Sequence, residues 1–290
     1  MSIPVDTTCL ECYLVKNMKL AESLGGREKA LEFSRRLMEL YLRHPDNTPM
    51  PILDPHVADL FWDMYGLDRD RYRQEKIDSN RFVLERMDRL RSWVEGAPDP
   101  VYAGLQFSIL GNYIDFAALQ DQVDFSRLDA MLAEGLQLPL DREVYARLCA
   151  DLEQAETLLY VTDNAGEIGF DRLLAEELVK KYPRLKITFC VRGAVGANDA
   201  TREDAQAVGV PFPVIDNGCR ITGTYLPDCG EECRKAVMES HVVIAKGMAN
   251  TETMFGCGAN VYYAFLIKCK HISDFFGKPL FTPMLVNERK

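Results

Sequence analysis

The chain has 290 residues, of which 47% are hydrophobic and 27% are charged, and its formal net charge at pH 7 is −10. This composition is typical of a globular protein and argues against a disordered, collagen-like or membrane protein. The acidic balance argues against nucleic acid as a partner, because binding a phosphate backbone needs a basic face, but it allows a small anionic substrate.

The beginning of the sequence, MSIPVDTTCLEC, has neither a basic start nor an apolar run, and no later stretch is apolar over the length that spans a bilayer. We therefore expect a cytoplasmic protein with no membrane partner. The nine cysteines are then expected to be reduced. Cys9 and Cys12 have the spacing of a metal-binding or redox pair, and Cys229 and Cys233 lie one residue further apart, but neither spacing is specific.

Apolar residues recur at helical spacing from the start of the chain to about residue 150. They lie three and four apart on one helix face, as shown by Ala30, Phe33, Leu37, Leu40 and Tyr41. The mixed charges between Asp68 and Arg91 are best explained as a solvated helix face. We predict an all-helical N-terminal domain over residues 1–150.

The segment from Val101 to Leu119 is apolar enough to lie in the interior, yet it contains Asn112 and Asp115. Polar groups in an apolar helix are costly unless they are hydrogen-bonded. These two side chains therefore either hold helices together or point into a site, and their spacing favours neither interpretation.

The hydrophobic period changes near residue 155. Short apolar runs then alternate with loops and helical spacing, which predicts an α/β domain over residues 151–290 with a mostly parallel sheet covered on both faces. The predicted strands are 158–161, 187–191, 213–215 and 242–245; the apolar element 261–267 remains unassigned.

Polar residues follow several of these strands. Asp163 and Asn164 follow the first strand, Asn198 and Asp199 lie in the loop after the second, and Lys246 ends a later one. Ligands of parallel sheets bind at the carboxyl ends of the strands, so these side chains are expected to meet.

Two carboxylates and an amide oxygen are hard ligands that suit Mg²⁺ or Mn²⁺. Lys246 could then neutralise a phosphate as a mobile point charge. In the alternative interpretation, Asp163 and Asp199 are helix N-caps, a more common role for either residue alone. Their shared position after separate strands favours the metal site.

Four segments, in this order, resemble the metal-dependent damage-control phosphatase family. The Cys9/Cys12 pair and the segment 111–115 are similar to the branch of that family common in bacteria and archaea. The four segments are DNAGEIGFD at 163–171, NDAT at 198–201, KGMANTE at 246–252 and KC at 268–269.

This resemblance implies a helical part packed on a Rossmann-like domain with a three-layer arrangement, and one divalent ion: Mg²⁺, Mn²⁺, Co²⁺ or Ni²⁺. It implies hydrolysis of small phosphate monoesters, such as sugar phosphates or damaged phosphorylated metabolites. Family metal ligands fall on Asp163, Asn164 and Asp199, and Met248 stands where the family usually has glutamine. The residues expected on the phosphate and substrate side are Asn112, Glu167, Asn198, Lys246, Gly247, Asn250 and Glu252.

The expected mechanism is metal-assisted hydrolysis, with Asp163, Asn164 and Lys246 as the catalytic residues. The ion would polarise a phosphoryl oxygen, Lys246 would stabilise the developing charge and a carboxylate would orient water. Direct attack by Asp163 stays open. Glu167 fits a site role and a helix-dipole role equally, whereas Asp171 fits the helix-dipole role better.

Two other classes of function compete with a phosphatase. A non-catalytic protein that binds a metal and a phosphorylated metabolite would need the same pocket. A methyltransferase with a nucleoside cofactor would need glycines where Asp163 and Asn164 stand, so it is the weaker alternative. The sequence leaves the oligomeric state open.

Overall fold

A computed structural model describes residues 2–44, 48–118 and 125–289, and of residues 113–118 and 125–129 it describes the backbone alone. The chain before the first strand is helical, as predicted. Helix α1 is interrupted at Gly26, where φ is +74°. The helices are α1 Thr7–Leu42, α2 Asp54–Tyr65, α3 Arg73–Leu84, α4 Met87–Glu95, α5 Pro100–Ala118, α6 Phe125–Glu134 and α7 Arg142–Gln154, with short 3₁₀ turns at Met50–Leu53 and Gly135–Gln137.

The rest of the described chain contains one six-stranded sheet, with helices between its strands. The order of the strands in the sheet is β3-β2-β1-β4-β5-β6. The pairs from β3 to β5 are parallel and β6 is antiparallel to β5, which confirms the predicted mostly parallel α/β fold. The elements are β1 Thr157–Val161, α8 Glu167–Lys181, β2 Lys186–Val191, α9 Arg202–Ala207, β3 Val214–Asp216, a 3₁₀ turn Leu226–Asp228, α10 Glu231–Glu239, β4 Val242–Lys246, α11 Gly247–Met254, β5 Val261–Leu266, α12 Lys270–Phe276 and β6 Pro283–Asn287.

The order of the strands reverses beside β1. The chain runs from β1 outward to β2 and β3 on one side, then returns to β4 on the other side of β1. Loops leaving the carboxyl ends of β1 and β4 therefore diverge and open a crevice, which is where ligands bind in sheets of this kind.

The sheet is buried on both faces. Along β1, Leu158 and Tyr160 belong to one hydrophobic core, while Leu159 and Val161 belong to the core on the opposite face. This explains why the strands appear in the sequence as continuous apolar runs rather than alternating ones.

One contact holds the helical part together and another joins it to the α/β part. Helices α1 and α2 share a core in which the rings of Phe33 and Phe61 lie 4.4 Å apart. Helix α5 packs on α8 so closely that a Cβ added to Gly111 would come within 3.0 Å of Glu167 Cγ. Helix α5 thereby reaches the crevice, and the division of the chain at about residue 150 stays a prediction.

Of the helices in the described ranges, none combines the length and the apolar character that crossing a bilayer requires.

Candidate active site

The residues predicted to meet after separate strands are joined at the crevice. The amide of Ala200 donates to the carbonyl of Asp163 at 2.7 Å, and the amide of Ala165 donates to the carbonyl of Asn198 at 2.9 Å. Asn164 and Asp199 form an isolated antiparallel bridge between these two backbone contacts. The loops after β1 and β2 are thus tied together, with Asp163, Asn164 and Asp199 all buried.

Two side-chain amides hold the carboxylates of Asp163 and Glu167 together. Nδ2 of Asn164 donates to Asp163 Oδ2 at 2.9 Å and to Glu167 Oε2 at 3.0 Å. Nδ2 of Asn112 donates to the same two oxygens at 3.0 and 2.8 Å. Asn112 therefore points into the site and at the same time joins α5 to α8, so both of its interpretations apply. The side chain of Asp115 lies outside the described residues.

Lys246 is fixed in place by three oxygen atoms. Its ammonium nitrogen lies 2.7 Å from the Ser108 carbonyl oxygen, 2.6 Å from Glu167 Oε1 and 3.3 Å from Asp171 Oδ1. The side chain is 0% exposed. The description of Lys246 as a mobile point charge is therefore wrong, because its ammonium donates to two oxygens, forms an ion pair with a third and is closed off from solvent.

Asp171 faces the same interior rather than the solvent. Its Oδ1 accepts from Ser108 Oγ at 2.8 Å and from the Tyr160 hydroxyl at 2.9 Å. Burial raises the pKa of Asp171 to about 6, although the Lys246 charge opposes that shift. The helix-dipole interpretation favoured for this residue is wrong, since its carboxyl belongs to a buried polar network behind the site.

Arg192 is a buried cation that the sequence analysis missed. It follows β2 directly, and its Nε donates to Asp199 in a short contact. Nη1 lies 3.2 Å from both Thr224 Oγ1 and Asn250 Oδ1. Nη2 lies 3.7 Å from Asp163 Oδ1. The rule that selected Lys246, a basic residue at the carboxyl end of a strand, would also have selected Arg192.

The site holds more buried negative charge than positive charge. Burial, together with the charges of Glu167 and Asp199, raises the pKa of Asp163 well above its ordinary value. Burial also opposes ionisation of Glu167, but the Lys246 charge lowers the pKa of that residue below its ordinary value. Asp163 therefore resists ionisation in the metal-free site, since its ion-pair contact with Arg192 is long, at 3.7 Å. The buried ionisable groups are Asp163, Glu167, Asp171, Asp199, Arg192 and Lys246.

Neither of the two aspartates predicted to bind the metal, Asp163 and Asp199, is a helix cap. The N-cap of α8 is Gly166, and no side chain caps that helix. The N-cap of α9 is Thr201, which forms a reciprocal capping box with Asp204. The capping interpretation of Asp163 and Asp199 is therefore contradicted, and their burial needs another explanation.

The donor set fits one hard divalent cation. Across residues 2–44, 48–118 and 125–289, no three His, Cys, Asp or Glu side chains are grouped to hold a metal ion. The three predicted ligands, Asp163, Asn164 and Asp199, are buried together where the loops after β1 and β2 meet, and they offer two carboxylates and an amide oxygen; their role as metal ligands stays a prediction. Magnesium-type ions are commonly bound by one or two carboxylates and keep several waters, so this set is sufficient.

A clamp from α3 supports the loop after β1. The side-chain oxygen of Asn80 accepts from the Gly166 amide at 2.7 Å, and its nitrogen donates to Asp204 at 2.9 Å. Lys76 pairs with the same carboxylate at 2.7 Å with little exposure of either group. The segment from Asp68 to Arg91, which was predicted to be a solvated helix face, therefore also has buried side chains that hold the loop after β1 in place.

The residues of the Lys-Gly motif at 246–252 have different roles. Nδ2 of Asn250 donates to the carbonyls of Lys246 and Thr162 at 2.6 and 2.9 Å, so this residue ties β4 to the loop after β1. Glu252 is half-buried, and burial together with the charge of Asp54 raises its pKa to about 8. Asn250 therefore belongs to the site. The pKa of Glu252, in contrast, is raised by burial and by Asp54, which does not contact Lys246.

The cysteine pair lies near Glu252. Burial, with Glu252 and Cys269 close by, raises the pKa of the Cys9 thiol to about 12. Cys12 is exposed, and all nine cysteines are free thiols in the structure. A functional role for Cys9 and Cys12 stays a prediction.

Gly247 meets the Asp163 carboxylate, and we expect Gly247→Ala to abolish the function of the site. Its φ is +80°, and an added Cβ would overlap the Asp163 carboxyl group. Gly277→Ala is the matched control, because Gly277 has a φ of +61° with nothing within 4 Å of an added Cβ. Gly277→Ala should lose about 1–2 kcal/mol to the left-handed backbone in urea unfolding, and Gly247→Ala should lose more, because its Cβ also overlaps the Asp163 carboxyl group. Calorimetric Mn²⁺ binding should fail in Gly247→Ala alone; equal binding by both variants would contradict this assignment.

The fold and this site define an α/β protein that gathers carboxylates, amides and two buried cations at the switch point of its sheet. Residues 5–282 match the damage-control phosphatase ARMT1-like domain, and the chain belongs to this family. The family predicted from the sequence is confirmed, while the assignment to the branch with the N-terminal cysteine pair stays a prediction.

Relatives and a solved structure support the same family and fold. An uncharacterized protein of Methanocaldococcus jannaschii is 28% identical over 95% of this chain and 93% of its own length. A damage-control phosphatase of Archaeoglobus fulgidus is 32% identical over 72% of each chain. The crystal structure of a DUF89 family protein from Pyrococcus horikoshii superposes with a TM-score of 0.80 over 99% of each chain, and its 22% identity makes it a likeness of fold alone.

Proposed function

We propose that this protein is a metal-dependent phosphatase that hydrolyses small phosphate monoesters, such as sugar phosphates or damaged phosphorylated metabolites. Family membership and a relative named damage-control phosphatase support a phosphatase-type activity. The observation that carries the metal dependence is the buried carboxyl of Asp163, which lies beside Asn164 and Asp199 and resists ionisation without a metal.

The cofactor is one divalent ion, Mg²⁺, Mn²⁺, Co²⁺ or Ni²⁺, held by Asp163, Asn164 and Asp199. When bound, such an ion polarises a phosphoryl oxygen of the ester. The protein's own part begins with orientation: Asn112 and Asn164 both donate to Asp163 Oδ2, which fixes the plane of that carboxylate. Fixed ligands lower the cost of reorganisation during the reaction.

Glu167 holds other side chains of the site in place. The charge of Lys246, 2.6 Å away, lowers its pKa against the effect of burial, and its Oε2 accepts from the amides of Asn112 and Asn164. Because the Glu167 side chain is 0% exposed, a carboxylate of the metal site orients the attacking water instead. In-line attack by that water breaks the bond between phosphorus and the ester oxygen and yields an alcohol and inorganic phosphate. Direct attack by Asp163 is the less favoured route, because its carboxylate is already committed to the metal, and trapping a phosphorylated Asp163 would overturn that preference.

Phosphate release from a panel of sugar phosphates and an aryl phosphate tests the proposal, with each of the four metals added to chelator-treated protein. We expect release with at least one metal, loss on adding chelator and recovery on replacing the metal. Release that persists in chelator would contradict metal dependence. Phosphate esters that bind the metal-loaded protein without release would instead favour the non-catalytic alternative.

A further inference from the structure

The two buried cations of the site differ in what they can still bind. Lys246 donates hydrogen bonds to the Ser108 carbonyl and Glu167 Oε1, and its ammonium also lies 3.3 Å from Asp171 Oδ1 in an ion pair. Arg192 has acceptors for Nε and Nη1, but its Nη2 is buried with no hydrogen-bond partner among the described residues. The ion-pair contact of Nη2 with Asp163 Oδ1, at 3.7 Å, is too long for a hydrogen bond.

An unpartnered charged donor in the interior is expensive. A buried donor without an acceptor has lost its hydration without replacement, and the loss is larger for a charged group. The side chain of Arg192 is 1% exposed, so bulk water does not solvate it. Such orphan groups are rare in folded proteins and call for a specific explanation, which here is an acceptor that arrives with the ligand.

The rest of the Arg192 side chain is held so that Nη2 keeps its direction. Asp199 binds Nε, while Thr224 and Asn250 bind Nη1. Thr224 also donates to Asn250 Oδ1 at 2.8 Å, so the anchors are themselves connected. The guanidinium is therefore pre-organised, with its free edge toward Asp163.

We propose that Arg192, rather than Lys246, is the side chain that binds the phosphoryl group, through its Nη2 edge. The inference rests on the proposed phosphatase function. Its ligand is a negatively charged oxygen of the phosphoryl group, next to the metal ligands. A planar guanidinium suits this ligand because it donates to phosphate through directional, charge-assisted hydrogen bonds. The ammonium of Lys246 is directed at the Ser108 carbonyl and Glu167, which leaves Arg192 Nη2 as the donor for the phosphoryl group.

Arg192→Lys tests this assignment, because lysine keeps the charge but loses the fork of donors. We expect KM for a phosphate ester and the inhibition constant of inorganic phosphate to rise about 10- to 100-fold, as the loss of a charge-assisted hydrogen bond implies. Mn²⁺ affinity, measured by calorimetry, should change much less. Arg202→Lys, on the exposed Asp216 pair, is the matched control and should leave all three values unchanged.

A purely structural role for Arg192 predicts a different pattern. Mn²⁺ affinity would then fall in parallel with activity, because Asp199 would lose its partner, and phosphate inhibition would stay unchanged; that result would overturn the proposal. If Arg192→Lys fails to fold, a crystal structure of the unsubstituted protein with Mg²⁺ and inorganic phosphate decides. A phosphate oxygen within hydrogen-bond distance of Nη2 supports the inference, and phosphate bound away from Nη2 contradicts it.

These measurements separate failure of the inference from failure of the proposed function. Turnover with unchanged KM and unchanged phosphate inhibition in Arg192→Lys would remove the role of Arg192 and leave the phosphatase intact. Inorganic phosphate that binds at Nη2 in a protein without turnover would keep the anion site and reject the phosphatase.

Discussion

Asp163→Asn is expected to abolish metal-dependent phosphate release and, at the same time, to stabilise the metal-free protein. Asparagine preserves the shape of the side chain but removes the charge that a metal ion would bind. The same charge repels Glu167 and Asp199 in a buried environment, which raises the pKa of Asp163 well above its ordinary value. The charge of Asp163 is therefore needed to bind the metal, but it lowers the stability of the metal-free protein.

The pH dependence of stability gives the sign of this effect. Because the pKa of Asp163 is higher in the folded than in the unfolded state, the folded state retains a proton that the unfolded state releases. Its contribution to stability is fully present below the unfolded pKa and is lost as pH rises through the folded pKa. Urea unfolding of the metal-free protein should show this loss in the unsubstituted chain and a flatter profile in Asp163→Asn.

The matched control is Asp216→Asn at the end of β3, where the carboxylate pairs with exposed Arg202. That variant should keep its phosphate release and its metal-free pH profile. Retained metal-dependent release in Asp163→Asn would show that the site is misplaced. A loss of stability in the metal-free variant would show that the charge of Asp163 does not destabilise the metal-free site.

Much of the fold could be predicted because its central strands are buried on both faces. Their continuous apolar runs gave strand positions close to the observed β1, β2 and β4, and the short run at 213–215 gave the half-buried edge strand β3. The run at 261–267 had the same composition, but length and period could not distinguish a strand from a buried helix there, and it is β5. Strand β6 was not predicted, because this half-buried, antiparallel edge strand has no clear alternation or run of apolar residues.

The prediction of the site succeeded where strand position determines geometry and failed where tertiary contacts do. Asp163 and Asp199 were found because carboxyl ends of parallel strands converge. Lys76 and Asn80 were missed because their partners are more than 80 residues away in sequence, and a mixed-charge run gives no sign of which side chains turn inward. The orphan Nη2 of Arg192 is likewise visible only when all its neighbours are placed.

Lys246→Met is expected to be the most destabilising of the proposed substitutions. Removing one partner of a buried ion pair costs about 3–5 kcal/mol, because the remaining charge loses its compensation in a site closed to water. The carboxylate of Glu167, 2.6 Å from the ammonium group, bears most of that loss. Asp171, whose pKa burial already raises to about 6, can take up a proton at smaller cost. Urea unfolding at pH 7 measures the loss, with Lys181→Met on the exposed end of α8 as a control within about 1 kcal/mol of the unsubstituted chain.

A double-mutant cycle then separates compensation of charge from the shape of the lysine side chain. If Lys246 acts by holding Glu167 ionised, Lys246→Met combined with Glu167→Gln should recover a large part of the stability lost in Lys246→Met, because no charge is left unpaired. The double variant should fold but release no phosphate, since neither the ionised carboxylate nor its counter-ion remains. The single Lys246→Met variant should also regain stability as pH falls, because protonation of Glu167 removes the same unpaired charge. If the two substitutions add without coupling, the lysine instead stabilises the protein through packing, and the low pKa of Glu167 would need another source.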